Sequence, residues 1–433
     1  MEIAAREMDS RLLIALHVAA AGADVVFGQK WVLQKNIEVC PRGSWLFKTL
    51  TPGDAGPMQR AKAAGHMVCA IDEEVPGLGE GCGGLRWVAP QSLENCDLVF
   101  CLGEAHREAM TEKFPKHAGK YVITGNPRWD LLRPELRAYY AGQAEAIRRE
   151  HGRFVLYNTN SGLTNSAKAP AEKLIRALYR DGRLNENDPK DRAFIADVKK
   201  FEAANIAAAP RIVRRLAESF PGERFILRPH PTEKAKTYAA QLAGLENVSL
   251  ISGGPAVPWL MAAELLIHTS CTTANEAFAL GTPSICFEAT ESPLNDSYFF
   301  SAQVSRRTAS LDDVSAWSGD VLAGNIDPAL WRSKDMRQAF ARFFAAQEGD
   351  FAARRIAGEI LAHGPQADAG HWRRPRGFRR RRLWRKAFQR RIFPDFPRRE
   401  LQDRLARLAR LSGLPMPRLR KIGQALYHIA PAD

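Results

Sequence analysis

The sequence has few of the features that would place it in a membrane or outside the cell. Its first apolar stretch, residues 12–21, is too short to span a bilayer and includes His17. It is preceded by Glu2, Glu7 and Asp9, where a signal peptide would carry positive charge. No other segment of the 433 residues is suited to crossing a membrane. We therefore expect a cytoplasmic protein that is neither secreted by the usual route nor integral to the membrane.

The cysteines also lack a pattern. There are seven, an odd number, and none forms a C-x-x-C or a Cys/His ligand spacing. Several, such as Cys69 and Cys286, lie inside apolar runs that are typical of strands. Free thiols in a reducing compartment are therefore expected, rather than disulfides or a zinc site. The chain also lacks a D-x-D at a clear strand end, so no metal requirement is indicated.

The charge is uneven. The chain carries a net charge of +14, but residues 371–433 hold nineteen Lys/Arg against four Asp/Glu. That segment therefore carries +15, and residues 1–370 carry −1. Because the basic character belongs to the C-terminal segment alone, the sequence does not favour nucleic-acid binding by the whole protein.

Short apolar runs alternate with amphipathic helical patterns, which indicates parallel sheets with helices on both faces. The predicted fold class is α/β, with two Rossmann-like doubly wound domains facing a cleft, followed by helices and a basic helical or disordered tail. The predicted segments are 1–140, 141–330, 331–370 and 371–433. Strands are predicted at 2–4, 23–27, 67–71, 98–102, 121–124, 154–157, 224–227, 248–251, 265–267 and 284–287.

The first candidate motif is Arg228-Pro229-His230-Pro231, directly after the predicted strand 224–227. It places a cation and an imidazole at the carboxyl end of a strand, in a backbone stiffened by two prolines. Arg228 could neutralise a phosphate, and His230 could bond one or carry a proton. The alternative is a rigid turn with a surface histidine.

The second motif is the segment 268–278, which follows the strand 265–267 and opens a helix. Small hydroxyl residues at a helix N-terminus favour phosphate, and Glu276 could accept bonds from ribose hydroxyls. The alternative is a capped helix with Thr273 as the cap and Glu276 as its capping-box partner. The hydroxyl residues are Ser270, Thr272 and Thr273.

Together these motifs resemble the donor half of GT-B glycosyltransferases, and most of 1–310 looks like the bacterial surface carbohydrate biosynthesis family. The resemblance implies that His230 contacts the donor phosphate, Ser270 to Thr273 the diphosphate, and Glu276 the ribose. More distantly, the motifs resemble Kdo transferases, teichoic-acid glycerophosphotransferases and UDP-N-acetylglucosamine 2-epimerases. The segments that carry the family resemblance are 6–13, 70–74, 97–103 and 124–132.

The other candidates follow predicted strands. Inverting glycosyl transfer needs a base near the acceptor hydroxyl, and Asp72, Glu73 and Glu74 come after the strand 67–71. An acidic surface turn is equally compatible with these three residues. Asn158 and Asn160, after the strand 154–157, are candidates for phosphate contact or ordinary turn formers. Weaker candidates for the base are Glu7 and Asp9, and the segment 126–128 is predicted to form an interdomain wall.

The basic tail interleaves arginines with aromatic residues, and leucines at helical spacing follow at 401–411. This composition suits an anionic membrane surface, which predicts a peripheral protein on the inner face of the cytoplasmic membrane, bound through 371–411. A solvated disordered tail or an RNA-binding segment is the alternative.

The expected function is therefore a glycosyltransferase with a nucleotide-sugar donor, no further cofactor, and a lipid-linked or glycan acceptor. The alternatives are a nucleotide-sugar 2-epimerase, a polyol-phosphate transferase, and a non-enzymatic membrane or nucleic-acid binding protein.

Overall fold

The computed structural model describes residues 1–2, 4–72, 85, 87–297, 300–365, 375–379 and 393–432. The chain divides into two compact units. Unit 1 comprises Met1–Glu73, Trp87–Tyr139 and Ala341–Asp433, and unit 2 comprises Glu74–Arg86 and Tyr140–Phe340. None of the described helices is both long and apolar enough to cross a membrane.

Unit 1 contains a four-stranded parallel sheet whose strands follow each other in sequence order, β2-β3-β4-β5. All five residues of β3 are buried, as expected for an apolar strand covered on both faces. The strands are β1 (Val25–Gly28), β2 (Ser44–Phe47), β3 (Met67–Ile71), β4 (Leu98–Cys101) and β5 (Tyr121–Ile123). The helices are α1 (Ala4–Ala20), α2 (Lys30–Leu33), α3 (Pro52–Ala63), α4 (Pro90–Asn95), α5 (Glu104–Lys113) and α6 (Pro127–Asp130).

Unit 2 is doubly wound, with six parallel strands in the order β8-β7-β6-β9-β10-β11. This is the Rossmann order, which reverses between its first and fourth strands. The strands are β6 (Phe154–Asn158), β7 (Arg224–Arg228), β8 (Val248–Leu250), β9 (Leu265–His268), β10 (Ser284–Phe287) and β11 (Arg306–Thr308). The helices are α7 (Ala141–His151), α8 (Ala171–Arg180), α9 (Pro189–Ser219), α10 (Lys236–Leu242), α11 (Val257–Ala262), α12 (Thr273–Leu280), α13 (Leu294–Ser297), α14 (Leu311–Ala323), α15 (Pro328–Trp331) and α16 (Lys334–Phe343).

Alternate residues of β6 show how the sheet of unit 2 fills its two core layers. Val155 and Tyr157 pack in a cluster with Ile212 of α9, whereas Phe154 and Leu156 pack in another with residues of α11 and α12. A strand with both faces buried therefore lies between two helical layers. The predicted α/β class with two parallel, helix-covered sheets is confirmed.

After α16 the chain returns to unit 1, which differs from the predicted separate helices and tail. The returning segment forms α17 (Ala352–His363), α18 (Arg398–Ser412), β12 (Arg418–Gly423) and β13 (Leu426–Ala430). Strand β13 lies between β12 and β1 in an antiparallel sheet, with Val25 opposite Ile429. The strand predicted at 23–27 is therefore present as β1, but it lies outside the parallel sheet. The strand predicted at 2–4 is wrong, because α1 begins at Ala4.

The leucines of α18 belong to the core of unit 1. Leu401, Leu405 and Leu408 are fully buried, and α18 packs against α1. The amphipathic helix predicted here is present, and these three leucines of its apolar face are covered by protein, whereas Leu411 is half-buried. Most of the arginine-rich stretch 371–392 lies outside the described residues.

Two glycines allow the returning chain to approach the carboxyl ends of β4 and β5. A Cβ on Gly103 would lie 2.4 Å from the carbonyl oxygen of Phe343, and one on Gly125 would lie 2.8 Å from that of Ala345. The Ala345 N–H also donates to the Leu102 carbonyl at 2.9 Å. The backbone of residues 343–345 therefore covers this edge of the sheet, where larger side chains would not fit.

Residues 126–130, which include the segment expected as an interdomain wall, contact this same returning chain. The Asn126 side chain caps α6 by accepting the Arg128 N–H at 3.0 Å. Trp129 stacks on Phe344 with ring centroids 4.4 Å apart, and Asp130 accepts the N–H groups of Ala352 and Ala353 at 2.9 and 2.8 Å. Because these N–H groups begin α17, Asp130 acts as its N-terminal cap.

Candidate functional site

The carboxyl ends of three adjacent strands in unit 2 bring the two sequence motifs together. Asn158 at the end of β6 is in register with Arg228 on β7 and with His268 on β9. The strand order reverses between β6 and β9. The crevice outside the carboxyl ends at such a reversal is where open α/β sheets bind their ligands.

Helix α12 points its N-terminus at this edge without a side-chain cap. Its N-cap is Thr272, which makes no side-chain cap hydrogen bond. The Thr273 hydroxyl instead donates to Cys271 Sγ at 3.1 Å and accepts from Asn158 Nδ2 at 2.9 Å. The capping alternative with Thr273 as the cap is therefore not what forms here, and the positive end of the helix dipole faces the strand ends. Glu276 is buried in the first turn of the helix.

A cluster of buried polar atoms without hydrogen-bond partners marks this edge. Buried polar groups in folded proteins are nearly always bonded, and leaving one unbonded costs about 1–3 kcal/mol. Their concentration near one helix terminus marks a part of unit 2 whose polar groups lack partners within the protein. Among the described residues the cluster comprises Arg228 Nε, Asn158 Oδ1, His268 Nδ1, Ser270 Oγ and both amide atoms of Asn275.

Arg228 supplies a buried positive charge. Its side chain is 7% exposed, stacks over the Trp259 ring at 4.7 Å, and donates through Nη2 to the carbonyl groups of Gly253 and Gly254. Burial lowers the pKa of the guanidinium to about 10, so it stays protonated at neutral pH. No carboxylate of the described part of the chain forms an ion pair with it. A buried cation of this kind favours an anionic ligand nearby.

His230 is held in a defined orientation after β7. Its backbone N–H donates to the Thr159 hydroxyl at 3.2 Å. Its Nδ1 accepts the Thr232 N–H at 3.3 Å and lies 2.8 Å from the Thr232 hydroxyl. Because Nδ1 is the acceptor, these contacts assign the proton of the neutral ring to Nε2, which is then a donor.

The sequence did not single out Glu233, which ties the loops after β6 and β7 together. This buried carboxylate accepts hydrogen bonds from the Thr159 hydroxyl (2.7 Å), the Ser161 N–H (2.9 Å), Asn165 Nδ2 (3.2 Å) and the Tyr238 hydroxyl (2.5 Å). Thr159 is also the residue that accepts the His230 N–H. In the sequence, only its position three residues after His230 pointed to it, and that position does not distinguish it from a surface glutamate.

The loop after β6 is fixed at two further points. Asn160 Nδ2 donates to the Ser270 carbonyl at 3.3 Å, which links this loop to the start of α12. Glu202 of α9 accepts the N–H groups of Leu163 and Thr164. Asn160 therefore bonds to the backbone at Ser270, while Asn158 bonds to the side chain of Thr273.

The acidic candidates lie in unit 1. Asp72 directly follows β3 and is buried, whereas Glu73 and Glu74 lie outside the described residues. Glu7 forms an ion pair with Lys48 at 3.1 Å, and Asp9 forms one with Arg404 at 2.7 Å and accepts the Tyr139 hydroxyl at 2.8 Å. These two carboxylates stabilise unit 1, so they do not fit the role of a base.

Comparisons with known proteins reveal likeness only at the level of structure. No protein-family model and no curated protein sequence matches the chain. A UDP-GlcNAc 2-epimerase from Methanocaldococcus jannaschii, in complex with UDP-GlcNAc and UDP, is 14% identical, with a TM-score of 0.47 over 83% of this chain and 82% of that one.

Two further solved structures show a similar degree of likeness. The wall teichoic acid polymerase TagF is 12% identical, with a TM-score of 0.44 over 69% of this chain and 68% of that one. HepE from Anabaena, in complex with UDP-glucose, is 14% identical, with a TM-score of 0.39 over 73% and 78%. At these values the likeness identifies neither the family nor the reaction of this chain.

Proposed function

We propose that the chain is a glycosyltransferase of the GT-B type that uses a nucleotide-activated sugar to build a bacterial surface polysaccharide. The observation that carries the proposal is the cluster of unbonded polar atoms beside the buried Arg228 and the N-terminus of α12. A nucleoside diphosphate brings both the negative charge and the many acceptor oxygens that this edge of the sheet lacks.

Each donor-site residue then has a defined task. Arg228 and the N-terminus of α12 offset the charge of the diphosphate, and the Ser270 hydroxyl donates to one of its oxygens. His230 donates a hydrogen bond through Nε2 to the phosphate next to the sugar, which stabilises the negative charge on the departing oxygen. Glu276 accepts bonds from the ribose hydroxyls. Asn158 and Asn160 hold the start of α12 in place.

The transfer step also needs a base for the acceptor. The acceptor oxygen forms a bond to the anomeric carbon as the bond from that carbon to the diphosphate breaks. A carboxylate takes the acceptor proton, and the nucleoside diphosphate leaves with the bonding electrons. Asp72 is the proposed base, supported by its place directly after β3; Glu73 is the second candidate.

A nucleotide-sugar 2-epimerase could use the same nucleotide site, and it is the main competing function. The two reactions differ in their need for an acceptor. We therefore expect that the protein alone leaves the sugar configuration of its bound donor unchanged, as followed by proton NMR. Conversion to the 2-epimer without an acceptor would replace the transferase proposal. A polyol-phosphate transferase would instead be recognised by transfer of phosphorus from a polyol nucleotide.

The test of the donor site is a thermal-shift scan against CMP, CDP, UDP, GDP and ADP. A ligand at ~100 times its dissociation constant adds about 2.7 kcal/mol to stability, which moves the unfolding midpoint by several degrees. We expect one nucleotide to give this shift, and we expect His230→Ala, Ser270→Ala and Glu276→Ala to lose most of it.

Glu246→Ala is the matched control, since Glu246 is exposed in unit 2. It should keep the full shift. A folded wild-type protein that responds to none of the five nucleotides would refute the donor site. A shift retained in all three site variants would place the nucleotide elsewhere.

We also propose that the enzyme works at the anionic inner face of the cytoplasmic membrane, on a lipid-linked acceptor. The support is the exposed arginines in the described part of the C-terminal segment, each worth about 1 kcal/mol near such a surface. They are Arg376, Arg379, Arg398, Arg399, Arg410, Arg418 and Arg420. Co-sedimentation with vesicles containing anionic lipid, lost at high salt, is the expected result, and binding equally to neutral vesicles would refute it.

A further inference from the structure

Unit 1 contains a cavity that the proposed donor site does not use. Its volume is ≈ 970 Å³, and its walls come from α1, β1, β2 and α17. Ligand pockets usually measure about 300–1,000 Å³. Most of the lining is apolar and includes Ile14, Val18, Val25, Leu46, Phe47 and Leu361.

The cavity follows one face of α1, where Glu7, Arg11, Ile14 and Val18 all line it. These residues recur every three or four positions, so they share one face of the helix.

At the buried end of the cavity, Lys48 and Lys30 form ion pairs. Lys48 lies 3.1 Å from Glu7 and 3.3 Å from Glu2, and Lys30 lies 2.8 Å from Asp54. The interior next to it is apolar, with Phe27 and Phe47 both buried.

The other end opens to solvent and combines an apolar residue with a cation. A Cβ on Gly364 would lie 2.5 Å from Ser44 Oγ, so the end of α17 meets the start of β2. Leu361 precedes Gly364 by one turn and is 39% exposed, and Arg42, two residues before Ser44, is exposed as well. Arg42 forms no ion pair with any carboxylate of the described residues.

We propose that this cavity binds the hydrocarbon chain of a lipid phosphate, with the chain inside and the phosphate at Arg42. The mainly apolar walls suit a hydrocarbon chain, and Leu361 extends the apolar lining to the opening. The exposed guanidinium at the opening complements a phosphate group.

The binding claim stands apart from the donor site of unit 2. Only the identification of this lipid with the acceptor rests on the proposed function. If the lipid site and the proposed function both hold, the cavity anchors the acceptor by its hydrocarbon chain. The reaction that supplies the acceptor is then one that attaches a phosphate or phosphosugar to a long-chain alcohol.

The test is isothermal titration of the full chain with dodecyl phosphate below its micelle concentration, beside dodecyl maltoside and inorganic phosphate. We expect one dodecyl phosphate per chain, weaker binding of the maltoside, and no binding of inorganic phosphate. Arg42→Glu should weaken dodecyl phosphate about tenfold or more. Leu361→Trp, which narrows the opening from an exposed position, should weaken both detergents.

The matched controls are Arg410→Glu and Leu330→Trp, which change exposed residues that do not line the cavity. Both should bind as the wild type does. Equal binding by Arg42→Glu, Leu361→Trp and the wild type would overturn the proposal, and so would tight binding of inorganic phosphate. The nucleotide-dependent thermal shift separates the two proposals: if it persists when lipid binding fails, the donor site stands and the lipid cavity does not.

Discussion

Single buried polar residues determine how the loops at the candidate site are held. Glu233 accepts four hydrogen bonds within unit 2, three from the loop after β6 and one from α10. Through Thr159 it fixes the backbone next to His230, although it is not among the residues proposed to touch the donor. Glu233 is therefore a positioning residue, and its effect on nucleotide binding should follow its effect on the loops.

Glu233→Gln tests this role with nearly the same shape. The amide NH₂ group would face donors that the carboxylate oxygen accepted, so we expect a loss of about 1–3 kcal/mol in the free energy of unfolding. Urea unfolding followed by circular dichroism measures it, and nucleotide binding should weaken in the same variant. Glu246→Gln, at an exposed position, should change neither quantity. An unchanged Glu233→Gln protein would mean that the loops are held by other contacts.

A buried histidine in unit 1 makes stability depend on pH. His106 accepts the Leu102 N–H through Nδ1 at 3.1 Å, and burial lowers its pKa to about 4. In the unfolded chain the pKa of a histidine is about 6.5. Below that pH the unfolded state therefore binds a proton at His106 that the folded state does not bind. The folded state therefore loses up to about 1.4 kcal/mol per pH unit from pH 6.5 down to about 4.

His106→Gln keeps an acceptor for Leu102 but does not titrate in this range. Lowering the pH from 6.5 to 5 should reduce the free energy of unfolding of the wild type. In His106→Gln we expect this reduction to be smaller, by up to about 2 kcal/mol. Urea unfolding at the two pH values gives this difference. His363→Gln, at an exposed position, should retain the wild-type dependence. Parallel behaviour of His106→Gln and the wild type would exclude His106 as a source of acid sensitivity.

At the scale of elements, the C-terminal segment contributes a helix and two strands to unit 1. The leucines of α18 are buried against the unit, while Arg410 on the same helix is exposed. The helix is therefore held by its apolar face, and its arginines remain on the surface. The leucines of α18 therefore contribute to stability, and its exposed arginines contribute to surface charge.

Leu405→Ala should therefore destabilise unit 1 by about 2–5 kcal/mol, the usual cost of removing a fully buried leucine side chain. Arg410→Ala, one turn further along, should change stability by about 0.5 kcal/mol or less. Thermal unfolding of the two variants in parallel measures the difference. Similar midpoints for both would show that α18 does not pack on the unit in solution.

The sequence predicted the elements whose signal is local. The apolar runs at 67–71, 154–157 and 265–267 are buried strands, and the motifs at Arg228 and 268–278 lie at neighbouring strand ends. It missed β2, β11, β12 and β13. An alternation was visible in Arg418-Leu419-Arg420, but the partner of β13 is β1, about 400 residues away, and no local pattern encodes such a pairing. The high net charge of residues 371–433 led to the prediction of a surface tail instead.

At the scale of the whole molecule, the two units are built differently along the chain. Apart from residues 74–86, unit 2 is a single continuous stretch, 140–340, whereas unit 1 is assembled from segments on both sides of it. The two units should therefore respond differently to being expressed as fragments. Unit 2 contains all six strands of its sheet within the continuous stretch.

A fragment of residues 140–340 should fold on its own and bind the same nucleotide as the full chain. Circular dichroism and a nucleotide thermal shift measure this, with the Ser270→Ala fragment as a control that should fold without binding. A chain ending at residue 392 should instead lose the stability of unit 1, because β1 would have no partner strand. A fragment 140–340 that does not fold would show that unit 2 depends on unit 1.

The pairing of β1 with β13 also has a consequence for biosynthesis. At ~5–20 residues per second, a ribosome needs on the order of 20–80 s to make the roughly 400 residues between the two strands. Throughout that interval the open edge of β1 and the apolar face of α1 await their partners, and unit 2, which ends at Phe340, is completed before those partners are made. Late in synthesis the nascent chain therefore carries one finished unit and one unfinished unit, and a premature stop codon after Phe340 would leave the unfinished unit to chaperones and proteases.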